Sequence, residues 1–542
     1  MNFKITALFP SKRFYKPVAA LFLLCSTAAI HPLSAQELYV GSNSSSQSKS
    51  FTSGVNDFSD TYVGYFTGDA KNLISVGGVG TLLSNSSSLS IGYFGASNSL
   101  VITNGGSVIS PVTYVGYGNS SSLNSVLLTG AHSVLNTTGS LYLGYFGNSN
   151  SLVISNGGSV QAVTSIVGFG GSGNSVLVTG NGSAWTNSGV LTVGGYTANN
   201  SLVISNGGVV SAPVLAVLGA GTASTGNSLL VTGSGSLLSG ASNGVVTIGD
   251  EGSGALTVAN GGAVKAGTII IASSNSSTAS LNIGSLGGKD AAGTISSSSI
   301  VFGNGAGTLN FNQTNSTTLA APIEGSGSIH QFGAGTTILT GANTYTGGTT
   351  ISLGNLSANS LGDGSLTLNP PAGKAASFTD TLGSGILSLG ALTLDGNSTI
   401  NFANLYGAIS SGTSTLAIDG SNNFISLAGA WTLNGTYSLL SGKQLTGSGL
   451  DSLELTGSLL GGGTLGLGKS VAYDGHEYTF TTNTTSVELI IASQKSFPFD
   501  ESLQVVKVQA VPEPSTFALL GFGSMLVFIA YRSGRDWKKT AE

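Results

Sequence analysis

Side chains able to do acid–base, metal or nucleophilic chemistry are sparse in this 542-residue chain and unevenly placed. From Asn72 to Gly249 there is no Asp, Glu, Lys or Arg, and only His132 and the tyrosines are ionisable there. Enzymes that cut polysaccharides need carboxylates or basic groups converging on one face. The regular half of the chain cannot supply them. The C-terminal half has scattered acids: Asp363, Asp380, Asp395, Asp419, Asp451, Glu454, Asp474 and Glu477. Asp363, Asp395, Asp419 and Asp474 each precede Gly, where a turn role is sufficient. Of the histidines, His31, His132, His330 and His476 stand far apart, without the spacing of metal ligands. The expectation is no catalytic residue, no metal and no cofactor.

Two glycine motifs imitate nucleotide sites. Gly463-Thr-Leu-Gly-Leu-Gly468-Lys469-Ser470 fits the phosphate-loop pattern, and Gly168-Phe-Gly170-Gly-Ser-Gly173 fits the dinucleotide pattern. Both sites work by aiming the amides of a following helix at phosphate. Here Val-Ala-Tyr and Asn-Ser-Val follow, which read as strands, so both matches are set aside. A different series recurs. After a repeated Gly comes an aromatic residue: Tyr65, Tyr93, Tyr117, Tyr145 and Phe169. These rings would form a ladder along one edge. Either they hold neighbouring segments in register by stacking on each other, or they form a stripe that stacks on sugar rings.

The elements that carry this series repeat. Asn98-Ser-Leu-Val-Ile-Thr-Asn-Gly-Gly-Ser-Val108 returns at Asn150 and Asn200, with shorter relatives at Asn124, Asn174 and Asn227. The leading asparagines are 26, 26, 24, 26 and 27 residues apart. A fixed period of this size signals stacked coils. Two and four residues after the leading Asn the chain is always apolar, as at Leu100 and Ile102 or Leu152 and Ile154; one and five residues after it stands Ser or Thr. Period-two alternation turns the apolar pair inward, and the leading Asn shares their parity. The asparagines are therefore expected to stack inside as an amide ladder. The fold class is all-β: an elongated parallel β-helix with coils of about 26 residues, the regular ones making a rod of about 40 Å.

Only 7% of residues are charged, while 40% are hydrophobic and regularly spaced. Burial of that apolar face offsets the entropy of ordering, so the chain is read as folded. Between the two terminal segments lie nine lysines, no arginine and 19 acids, a net charge of −10. Such a surface does not suit nucleic acid.

Residues 36–60 read as a Ser-rich leader or cap, 61–300 as regular coils and 301–493 as a less regular solenoid with a cap. Within the last, Gly333-Ala-Gly-Thr-Thr-Ile-Leu-Thr-Gly341-Ala-Asn343-Thr-Tyr345-Thr-Gly347-Gly348-Thr-Thr-Ile351-Ser-Leu-Gly354 resembles the autotransporter-associated β-strand repeat. That resemblance implies a β-helix passenger. The chain does not end as autotransporters do, in a barrel of amphipathic strands.

Residues 1–35 read as a secretory signal cut between Ala35 and Gln36, which also removes the single cysteine, Cys25. A spacer over 494–510 leads to Val511-Pro512-Glu513-Pro514, then to an apolar run over 517–531, then to Arg532, Arg535, Lys538 and Lys539. This three-part order over 511–535, with the basic tail over 536–542, resembles the PEP-CTERM sorting signal of Gram-negative bacteria. The resemblance implies export, a single membrane helix over 517–531 and processing by an exosortase. Together these features point to a non-enzymatic, adhesin-like rod of the envelope or matrix. Its expected partners are the Sec machinery, the exosortase and a surface polysaccharide. The alternatives are a glycan-binding module using the aromatic ladder, or a polysaccharide-degrading β-helix with its site in 360–500.

Overall fold

The computed structural model describes residues 36–493, apart from 214, 384, 405, 430, 432, 461, 462, 474 and 475. The expected signal segment, the spacer, the Val511–Pro514 motif and the apolar run over 517–531 lie outside the described residues. Among the described residues no helix is long and apolar enough to cross a membrane.

The chain winds into a parallel β-solenoid. One sheet runs without a break from Ser48–Phe51 to Gln444–Thr446, one strand per coil, each in parallel register with the next. Its 17 strands make sixteen steps, which at about 4.8 Å each give a face roughly 80 Å long. A second sheet begins with Leu38–Val40 and Val55–Val63, so residues 36–60 already supply strands to the first coils. Its long strands bend at register shifts, as between Ser110 and Val112 around Pro111. Where the bend sharpens, the strand divides in two, as in Ala184–Asn187 and Val190–Val193. The second sheet ends at Ile323–Gly325, and a third runs from Ser316–Leu319 to Leu465–Gly466. The described chain ends in antiparallel strands, with Gly435–Ser441, Ser486–Ser493, His476–Thr482 and Lys469–Tyr473 paired in that order.

The core follows from alternation along each strand. Leu100, Ile102, Leu128, Ile154, Val178 and Ile204 are fully buried and stack coil on coil. Each such side chain contributes about 1.5–3 kcal/mol. The leading asparagines join them inside, at no more than 1% exposure. Each Asn Oδ1 accepts from the coil before it. Asn150 Oδ1 takes the Asn124 backbone N–H at 2.9 Å and the Asn124 Nδ2–H at 3.1 Å. Asn174 and Asn200 repeat the arrangement, with Nδ2–H donated at 3.1 Å in both cases. The expected amide ladder is therefore present, and it starts one coil earlier than the sequence repeat suggests, with Asn72 donating to Asn98 at 2.9 Å. One rung differs: Asn98 Nδ2–H goes instead to the Asp69 carbonyl at 3.1 Å. The ladder stops at Asn227, because Gly254 stands opposite it in the next coil.

The turn after each strand needs positive φ. Asn104, Asn156 and Asn206 sit at φ 51, and Gly130, Gly180 and Gly233 take the same place in the alternate coils. Asn and Gly tolerate this region far better than other residues do.

Replacing Asn150 with Ala leaves the Asn124 backbone N–H without an acceptor in a dry interior, leaves the Asn124 amide only its bond to Ser121 Oγ, and removes a donor to Asn174. We expect a loss of about 2–4 kcal/mol in urea unfolding. Leu152→Ala should lose about 2–5 kcal/mol through its cavity. Ser151→Ala, on the outer face of the same strand, should change stability by less than about 0.5 kcal/mol.

Candidate functional site

The corner that follows each long strand is built by the ladder. Gly116 lies at φ +79, and a Cβ there would overlap the Asn150 amide of the next coil. Gly64, Gly92, Gly144, Gly168 and Gly194 stand in the same relation to Asn98, Asn124, Asn174, Asn200 and Asn227. The glycine before each aromatic residue is therefore required twice, by its backbone angle and by the buried amide beside it. The aromatic side chain is turned out of the coil at this point.

The expected ladder residues come together. Tyr65, Tyr93, Tyr117, Tyr145 and Phe169 stack in one column, with centroids 5.2, 4.6, 5.3 and 4.9 Å apart and planes within 10°. All five are half-buried. Most of each ring face is covered by the next ring, and each stack contributes about 0.5–1.5 kcal/mol beyond its buried area. A second column lies beside it on the strand itself: Tyr39 on Tyr62 at 5.3 Å, and Tyr114 on Tyr142 at 5.4 Å, with Ser90 between the two pairs in register. Burial, and secondarily Asp60, pushes the Tyr62 phenol up to about 12. Burial likewise raises Tyr93 and Tyr114. These phenols stay neutral across the physiological range.

A third, outermost row was not legible from the ladder alone. Phe66, Phe94 and Phe146 are 42%, 38% and 41% exposed, and Tyr196 is 61% exposed. Each follows the ladder position by one residue, and each is turned across the ladder rings at 69–90°. Gly118, Gly170 and Gly221 hold the same place in the intervening coils, and a Cβ on any of them would strike Phe94, Phe146 or Tyr196. The signal is in the sequence: Tyr93-Phe94 and Tyr145-Phe146 alternate with Tyr117-Gly118 and Phe169-Gly170.

The C-terminal acids are mostly dispersed. Asp363, Asp395, Asp451 and Glu477 are exposed. Register brings Asp395 and Asp419 side by side on adjacent coils, a closeness that the sequence does not disclose. Asp419 Oδ1 accepts the Ser448 N–H at 3.1 Å, which fixes it in a turn. Asp380 is 2% exposed, and its Oδ1 accepts the Leu382 N–H at 2.9 Å. Its Oδ2 has no hydrogen-bond partner, and burial pushes the carboxyl up to about 6. Lys469 of the phosphate-loop pattern opens the strand Lys469–Tyr473, and Ser175–Thr179 follows the dinucleotide pattern as a strand. His330 Nε2 lies 3.1 Å from Ser328 Oγ, with its ring against Phe332. Among the described residues no three His, Cys, Asp or Glu side chains gather as a metal site would require.

Gly144→Ala should lose about 2–5 kcal/mol, by backbone strain and by displacing the Asn174 amide. Tyr117→Ser, which removes two stacks, should lose about 1–3 kcal/mol. The pH response of Asp380 has a definite sign. The folded state holds this proton more tightly than the unfolded chain, so stability falls as pH rises from about 4 to about 6 and is level above. Asp380→Asn should remove that slope in denaturation midpoints measured across this range. An unchanged slope would assign it to other groups.

Comparison with known proteins places two segments. The passenger-associated-transport-repeat model matches residues 329–358, within the solenoid. The PEP-CTERM protein-sorting motif matches residues 510–535, outside the described residues. The adhesin BmaC autotransporter of Brucella suis biovar 1 (strain 1330) is similar, at 40% identity over 96 residues, which is 17% of this chain and 3% of that protein. The chain is thus an all-β solenoid that carries a passenger-type repeat and a PEP-CTERM sorting motif.

Proposed function

We propose that this protein is an exported, non-enzymatic, adhesin-like rod of the cell envelope or extracellular matrix. The observation that carries the reading is the conjunction of an unbroken coil stack with a sorting motif beyond its end. The Sec machinery exports the chain. The run over 517–531 holds it in the inner membrane, and an exosortase-type enzyme then cuts near Val511–Pro514 and releases it toward the surface. The similarity to an autotransporter adhesin supports the surface role. A second reading, a glycan-binding surface module, is favoured by the aromatic edge, which is partly exposed and from Tyr93 to Tyr196 lies in a segment without charge.

Replacing Pro512, Glu513 and Pro514 with Ala should leave full-length protein in the membrane fraction of its native host, while the unaltered chain appears in a shortened form at the surface or in the medium. Equal release of both would overturn the processing route. The released protein incubated with neutral and acidic polysaccharides should yield no new reducing ends or unsaturated products. Bond cleavage would make it an enzyme, with Asp395 and Asp419 the first residues to replace.

A further inference from the structure

The outermost aromatic row has a spacing and an orientation of its own. Phe66 stands one coil before Phe94; from Phe94 onward the row, Phe94, Phe146 and Tyr196, recurs at every second coil, a repeat of about 10 Å along the rod. The glycines between them leave each ring lying over the next coil's backbone, as Phe94 lies over Gly118 and Phe146 over Gly170. Each ring is turned 69–89° from the ladder beside it. Ladder rings spend their faces on one another; the outer rings present theirs sideways, to something lying along the rod.

We propose that Phe94, Phe146 and Tyr196 form a stepped platform for an extended, neutral β-1,4-linked glycan, one disaccharide per step. The proposal rests on the glycan-binding reading above and moves its contacts from the ladder to this outer row. Three observations select the ligand. First, no charged residue lies between Asn72 and Gly249, so a charged polymer meets no counter-charge on this edge. Second, the rings are flanked by exposed Asn119, Ser120, Asn148 and Asn199. A sugar needs that pairing of aromatic face with amide and hydroxyl, because its C–H face stacks while its rim forms hydrogen bonds. Third, an extended β-1,4-linked chain turns each sugar over against the one before. Like faces therefore recur once per disaccharide, which matches a platform that recurs once per two coils.

The test titrates the full chain with cello-oligosaccharides from disaccharide to hexasaccharide, with dextran and polygalacturonate as controls. Affinity should rise with each added disaccharide and level off at the hexasaccharide. The triple variant F94S/F146S/Y196S should lose on the order of a hundredfold for the hexasaccharide, at about fivefold per ring. Tyr196→Ser alone, at the most exposed ring, should bring the hexasaccharide down to the affinity of the tetrasaccharide without moving the melting temperature. This single variant keeps the test valid should the triple variant fold poorly. Affinity that ignores chain length, or that survives Tyr196→Ser, overturns the platform. So does sedimentation showing a wild-type dimer that Tyr196→Ser dissolves, since the row is then a contact between copies. Binding lost on Tyr93→Ser/Tyr117→Ser/Tyr145→Ser but kept in the triple variant leaves the broader glycan reading standing and removes only the platform. A wild-type chain that binds none of these glycans removes both.

Discussion

The regular half of this solenoid depends on one contact: the amide of a buried asparagine against the glycine of the coil before it. Asn150 takes the backbone and side-chain protons of Asn124 through a single oxygen, at 2.9 and 3.1 Å. It can reach that position only because Gly116 has no Cβ. An unpaired amide in a dry interior is costly, whereas a paired one fixes its neighbour's height and rotation. The apolar residues would bury nearly as well with one coil slightly rotated on the next. The amides would not, and they make register specific where the aliphatic stack only makes it favourable.

The same contact creates the surface. Because glycine is required at the corner, the chain turns there at positive φ and the following side chain leaves the core. Successive coils deliver these side chains one above another at the coil spacing, which suits stacked rings. The aromatic edge thus depends on how the amides are housed. From Phe94 to Gly221 an aromatic residue and Gly alternate in the outer row, because each ring lies where a Cβ of the next coil would fall; Phe66 and Phe94, on adjacent coils, stand outside this alternation. The long repeat of two coils, visible as alternating Asn-Gly-Gly and Gly turns, extends to this row.

Much of this was legible because it is periodic. The inward positions at Leu100 and Ile102, the amide ladder, the turns at Asn104 and Gly130 and the column from Tyr65 to Phe169 all follow from spacing and strand alternation. Asn72 is hidden in the sequence because Leu73-Ile-Ser-Val lacks the Ser that follows the other asparagines. Phe66, Phe94, Phe146 and Tyr196 stand two residues after the corner glycine, so the glycine–aromatic spacing does not mark them. The link between Gly116 and Asn150 joins residues a full coil apart, and only the fold brings them within reach. Beyond residue 300 the period loosens. Neither the burial of Asp380 nor the adjacency of Asp395 and Asp419 could be read there, since both depend on register that irregular loops set.

The distribution of charge divides the rod into two materials. From Asn72 to Gly249 the structure is held by neutral amides, hydroxyls, aliphatic stacks and rings whose phenols stay protonated. Ionic strength and mild acid or base have almost nothing to act on there, because screening weakens only interactions between charges. The C-terminal half holds most of the acids. An exported rod meets water of variable salt and acidity, without the buffering of a cytoplasm. In such surroundings the uncharged stretch keeps its length and coil spacing, and any response to the medium falls to the coils before Asn72 and after Gly249.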